Sequence, residues 1–165
     1  MPNWCEGVLK VRGTKEKILE FLRNGIKYSD CKYGCKDGEF TEMEVPRDCP
    51  FEYDEYDIFI KNTKDLWIKG TRRMFITSNT IEDYFCNNKT GIETICIDVH
   101  QAWAIVADNL KELSKTYGLD FRIFATERGM EFCQLVEVIG GKITRDEEIT
   151  FDNFVWEAPN PYLGG

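Results

Sequence analysis

Residues 93–126 read ETICIDVHQAWAIVADNLKELSKTYGLDFRIFAT, and they carry two periodicities in succession. From Glu93 to His100 apolar and polar residues alternate. Ile95, Ile97 and Val99 point to one side, and Cys96, Asp98 and His100 to the other. This is the pattern of a strand with one buried face. Trp103, Val106, Leu110, Leu113 and Tyr117 then recur at spacings of three and four. That spacing predicts an amphipathic helix, and Gly118 supplies its stop. Asp120 to Thr126 returns to alternation, with Phe121, Ile123 and Ala125 on one face.

Working outward, Met130 to Ile139 reads as a further strand, and Gly140-Gly141 as a hairpin turn. Lys142 to Asp152 is a last strand or a tail, and residues 160–165 read as frayed. On the other side, Val8 to Val11 is a short strand closed by Gly13. Thr14 stands where a helix N-cap belongs, its hydroxyl placed to accept a free backbone N–H. Ile18, Phe21 and Leu22 form the helix's apolar stripe, and Gly25 reads as its left-handed stop. Asp57 to Lys61, Asp65 to Lys69 and Met74 to Thr77 look like strands, and Thr80 to Phe85 like one helical turn. Two helices cover only one face of a small sheet. The fold class expected is therefore α+β. Its commonest form is a two-layer ferredoxin-like sandwich, an antiparallel sheet with two helices on one face. At 165 residues the chain is expected to be a single domain over 1–165.

Residues 28–57 differ from the rest and read as a surface insertion, with an extended piece around Phe40–Val45. The chain holds 21 Lys and Arg against 29 Asp and Glu, a formal charge of −8. From Glu39 to Asp57 there are eight acids and one base, so the remainder is close to neutral. The bulk charge opposes coating of nucleic acid. The acids Glu42, Glu44, Glu52, Asp54, Glu55 and Asp57 are the candidate partner-binding residues. They could mimic a phosphate backbone and dock on a basic groove of a host or defence protein.

Two stretches carry a family likeness. The first is Met1-Pro2-Asn3-Trp4-Cys5 leading into the strand Val8–Val11 and Gly13. The second is Ala102-Trp103, the helix to Tyr117, Gly118-Leu119-Asp120-Phe121 and then Glu127-Arg128-Gly129-Met130-Glu131-Phe132. Together they resemble the YubB-type ferredoxin-like domain proteins, small proteins of phages, plasmids and other bacterial mobile elements. Residues 28–92 do not align, and Cys133 and Gln134 depart from the family's pattern. The resemblance implies a ferredoxin-like fold without an iron–sulfur cluster, and it implies no activity.

Catalytic chemistry has little to work with. His100 is the only histidine. It shares a strand face with Cys96 and Asp98, but four residues of strand separate Cys96 from His100 by roughly 13 Å. Cys133 could reach His100 only from a neighbouring strand. Cys31, Cys35 and Cys49 could supply three thiolates to zinc, which needs four ligands. Free thiols are the simpler reading, so no metal and no cofactor is expected. Glu127 could accept backbone N–H groups or pair with Arg72 or Arg73. Gly129 would permit a positive-φ turn. Trp4 and Trp103 are expected to pack the layer between sheet and helices.

The N-terminus lacks a secretory signal, no membrane span is present, and seven cysteines without a signal suggest reduced thiols. The expected location is the cytoplasm of a bacterial host. The leading functional expectation is a non-enzymatic accessory protein of a phage or mobile element that binds a host protein, in an anti-defence role. Two alternatives stand beside it. One is a small nuclease-like or thiol-dependent enzyme using Cys96, Asp98, His100 or Cys133. The other is a single-stranded nucleic-acid binder using Arg72, Arg73, Arg122 and Phe124 on the open face of the sheet. Oligomeric state has no signal in the sequence.

Overall fold

The structure is a computed structural model. It describes residues 3–28, 31–36, 39–44, 51–61, 66–78, 80–85 and 90–165. The chain opens with β1 (Trp4–Gly13), in which Cys5, Gly7, Leu9 and Val11 point inward, while Val8, Lys10 and Arg12 stay exposed. Helix α1 (Lys15–Gly25) buries Ile18, Leu19, Phe21 and Leu22. There follow β2 (Ile26–Tyr28), β3 (Cys31–Lys36), β4 (Glu39–Glu44), β5 (Phe51–Tyr53), β6 (Asp57–Lys61), β7 (Leu66–Ile68), β8 (Met74–Ile76) and β9 (Thr80–Tyr84). The last part holds β10 (Glu93–Ala102), α2 (Ala107–Tyr117), β11 (Asp120–Glu127), β12 (Phe132–Ile139), β13 (Lys142–Thr150) and the short α3 (Phe154–Glu157).

Eight strands form one antiparallel sheet in the order β13-β12-β11-β1-β10-β8-β7-β2. β3 pairs with β4, and β5-β6-β9 make a separate three-stranded sheet. β1 lies between β10 and β11, so Leu9 has Ile97 on one side and Ile123 on the other. Those three residues, fully buried, form part of the core beneath the helices. Phe21 of α1 meets Phe121 and Tyr117 edge-on, with ring centroids 5.6 and 5.4 Å apart. Each such side chain contributes about 1.5–3 kcal/mol by leaving water. α2 ends at Gly118, whose φ of 62° is left-handed and whose N–H bonds Ser114 O.

The expected small two-helix ferredoxin-like sandwich is overturned. The described residues are mostly strand, with an eight-stranded antiparallel sheet and three helices. The sheet grows on both flanks: β12 and β13 extend it beyond β11, and β7 and β2 beyond β8. The third helix packs Phe154 over Cys133, on the face that a two-layer sandwich would leave bare. The stretch expected as a helical turn, Thr80 to Phe85, is mostly strand β9, in register with β6. The region expected as an insertion with one extended piece holds the β3–β4 hairpin and β5.

Smaller corrections have local causes. The Thr14 hydroxyl makes no capping bond. Gly25 does not stop α1 by a left-handed turn. It ends the helix directly against β2, and a Cβ there would lie 2.8 Å from the Phe21 ring. α2 begins at Ala107 rather than Trp103: Trp103 takes a φ of 65°, and the N-cap Val106 is extended, with φ −93° and ψ 100°. Among the described residues no helix is long and apolar enough to cross a membrane.

Candidate functional site: a groove on the open face of the sheet

The outward alternation of β1 sets three side chains in a row: Val8, Lys10 and Arg12. Their cross-strand neighbours on β11 are Phe124, Arg122 and Asp120. Beyond these, β12 places Leu135 beside Phe124 and Glu137 beside Arg122. The result is a groove of about 680 Å³. One wall is the chain after α3, through Pro159, Asn160 and Leu163. That segment, expected to fray, is held at its end by backbone. Gly164 N–H donates to Glu6 Oε2 at 3.3 Å, and Gly165 N–H to Trp4 O at 3.0 Å. The face is thus partly covered over β12 and open over β1 and β11. Val8 and Phe124, side by side in the middle of the sheet, keep 41% and 38% of their surface in water.

Two of the three cations are tied. Arg12 donates to Asp120 Oδ2 from Nε at 3.1 Å and from Nη2 at 2.7 Å, and Arg122 Nη1 reaches Glu137 Oε2 at 3.2 Å. Between them Lys10 is exposed, and no hydrogen bond or ion pair joins it to another described residue.

The four residues expected for nucleic acid are divided by the structure. Arg122 and Phe124 line the groove. Arg72 and Arg73 sit in the turn before β8, at the Trp4 end of the sheet. Arg72 Nη2 donates to Ala102 O at 3.1 Å and lies 5.5 Å from the Trp103 ring centroid, while Arg73 stands 5.6 Å from that of Trp4. Neither tryptophan packs between sheet and helices as expected. Trp4 lies on the open side of β1 beside His100, and Trp103 is 53% exposed.

The catalytic alternative finds no assembled site among the described residues. Cys96, Asp98 and His100 share the outer face of β10, as read from the sequence. Cys133 is buried, its Sγ 3.5 Å from Thr126 Oγ1. β11 and β1 stand between it and His100, a separation of roughly 14 Å at the usual strand spacing. Burial pushes the Cys96 thiol pKa up, aided by Asp83, so its thiolate is disfavoured. No group of three His, Cys, Asp or Glu that could hold a metal occurs among the described residues. Cys31 and Cys35 fall on β3, and Cys49 lies outside the described residues.

The acids are dispersed. Glu42 and Glu44 fall on β4, opposite Tyr33 and Cys31. Glu52, Asp54 and Glu55 are exposed, and Asp57 is half-buried. Asp54 is used locally: its Oδ1 accepts from Tyr56 N–H at 2.7 Å and Asp57 N–H at 2.8 Å, which lowers its pKa. Lys15 Nζ donates to the carbonyls of Asp54 and Glu55 at 2.6 and 2.9 Å, fastening this turn to the start of α1. Around it Tyr53, Tyr56 and Tyr84 stand 48%, 54% and 63% exposed.

Of the two expectations for Glu127, the backbone one holds. The carboxylate is fully buried and accepts from Gly129 N–H at 2.8 Å and Met130 N–H at 2.6 Å. Gly129 is not at positive φ; Glu131 is, at 58°. A Cβ on Gly129 would meet the Asn3 side-chain amide, which would have to swing aside. Sequence reading passed over Val8, Lys10 and Arg12. Their signal was present in the alternation Val8-Leu9-Lys10-Val11-Arg12, which sends two cations to the face opposite the core.

Comparison of the chain with protein-family models, with curated proteins and with solved structures gives no match.

Proposed function

We propose that this chain is a non-enzymatic binding protein that holds a macromolecular partner in the groove on the open face of its sheet. The observation that carries the reading is the groove floor. Phe124 and Val8 remain exposed there beside Lys10, which makes no hydrogen bond or ion pair with another described residue, within a volume typical of ligand sites. The lone histidine and, among the described residues, the lack of a nucleophile next to a base favour binding over catalysis. The resemblance to YubB-type proteins of phages and plasmids directs the search for the partner to a bacterial cytoplasm.

A second reading keeps the acidic surface as the docking site for a basic host or defence protein. Its support is the exposure of Tyr53, Tyr56 and Tyr84 beside Glu52 and Glu55, since exposed tyrosines are enriched at interfaces. One experiment separates the two. Tagged wild type, Phe124→Glu and the double variant Glu52→Gln/Glu55→Gln are used to capture partners from a bacterial extract at low and physiological salt. The groove reading expects loss only with Phe124→Glu. Loss only with the double variant, steep in salt, would transfer the function to the acidic surface.

A further inference from the structure

We infer that the partner held in the groove is single-stranded nucleic acid, an inference that rests on the groove being the binding surface. Two features have to coincide for a single strand to be held without sequence readout: an uncovered aromatic face for a base and cations for the backbone. Phe124 supplies the ring. Its cross-strand partner on β1 is Val8, and Lys10 lies two residues further on the same face, roughly 7 Å along the strand. A base stacked on Phe124 would therefore leave its phosphate within reach of the Lys10 ammonium. Val8 and Leu135 give an apolar floor on either side of the ring.

The arginines flank this point. Asp120 takes Nε and Nη2 of Arg12, and Glu137 takes Nη1 of Arg122, so each guanidinium is fixed in place with further N–H donors to spare. Three cations and two acids line the groove, and Asp98 on β10, cross-strand from Val8, adds a third acid at its edge, so the surface is locally balanced in charge and lacks the acidity of the 39–57 stretch. The eight acids between Glu39 and Asp57 account for most of the chain's net charge, and the groove is lined by none of them. A duplex is a poor occupant, because its base faces are already stacked and closed to an aromatic platform. With few phosphate contacts, binding should be modest in affinity and its salt dependence shallow, a slope of about −0.7 in log K per phosphate contacted.

The test uses fluorescence anisotropy of labelled single-stranded DNA, single-stranded RNA and the matching duplex with the full chain at low salt. A single strand, DNA or RNA, is expected to bind in preference to the duplex. Phe124→Ala and Lys10→Glu are each expected to weaken this about tenfold, and Phe124→Trp to retain it. Thermal melts confirm that the variants fold. No binding of any single strand by wild type, or equal binding of the duplex, overturns the inference. If Phe124→Glu still loses its captured partner from extract in that case, the groove remains the binding surface for another ligand. If it does not, the groove reading falls as well.

Discussion

The indole of Trp4 lies stacked on the imidazole of His100, ring centroids 4.0 Å apart and planes 22° from parallel. Phe75 meets both rings edge-on, at 5.9 and 5.8 Å. This half-buried setting lowers the His100 pKa below its ordinary 6.5, because burial penalises the charged form. The unfolded chain therefore takes up the proton more readily than the folded one. Stability from this group is complete above the unfolded value and is lost as pH falls through the folded one. The free energy of unfolding in denaturant is expected to drop as pH falls below about 7.5, one unit above the unfolded value. His100→Phe keeps a ring on Trp4 and should flatten that slope. Identical slopes in wild type and variant would refute this assignment.

Gly7 is held by a close approach of two strands. It pairs with Ala125 across β1 and β11. An added Cβ would overlap the Phe124 carbonyl oxygen and lie 2.9 Å from Ala125 Cα. Both are backbone atoms and cannot swing aside. Gly7→Ala is expected to cost about 1–3 kcal/mol, the range for overpacked cores. For a chain of this size each kcal/mol lowers Tm by about 2–4 °C, readable by calorimetry. An unchanged melting temperature would show that the two strands can separate locally.

What was legible in the sequence follows from strand length. β10 and α2 are long enough to repeat their periods several times, and both were placed, with Gly118 as the stop. β7 and β8 read as strands, but β2 has three residues, too few to display alternation, and no local pattern tells which strands pair, so the width of the sheet was hidden. β12 is buried on both faces, since α2 covers one and α3 with the following chain covers the other. Its inward-and-outward pattern is accordingly erased. The groove was half legible: Phe124 and Arg122 stood out on β11, but the wall built by Pro159, Asn160 and Leu163 depends on a tertiary contact with no local signature.

The thiols of Cys5, Cys96 and Cys133 should separate by accessibility. Cys5 is buried and its pKa is pushed up to about 12, first by burial. Cys133 is buried beneath Phe154 and Ala158. Cys96 is exposed. Alkylation of the native protein near neutral pH, followed by peptide mass mapping, is expected to modify Cys96 well before Cys5 and Cys133. Early labelling of Cys133 would mean that α3 and the chain beyond it lift from the sheet, and with them the groove wall.

Glu127 ties this end of β11 to the turn into β12. Its fully buried carboxylate is the acceptor for the N–H groups of both Gly129 and Met130. Removing it leaves two donors without that partner in a turn that the Asn3 side-chain amide packs against. Glu127→Ala is expected to destabilise the fold by about 1–3 kcal/mol. Glu127→Gln keeps one carbonyl oxygen of the same reach and should lose less. Denaturant unfolding of the pair measures the difference. If both variants lose equally, the charge rather than the hydrogen-bond geometry holds the turn, and if neither loses, the turn is held by the β11–β12 pairing alone.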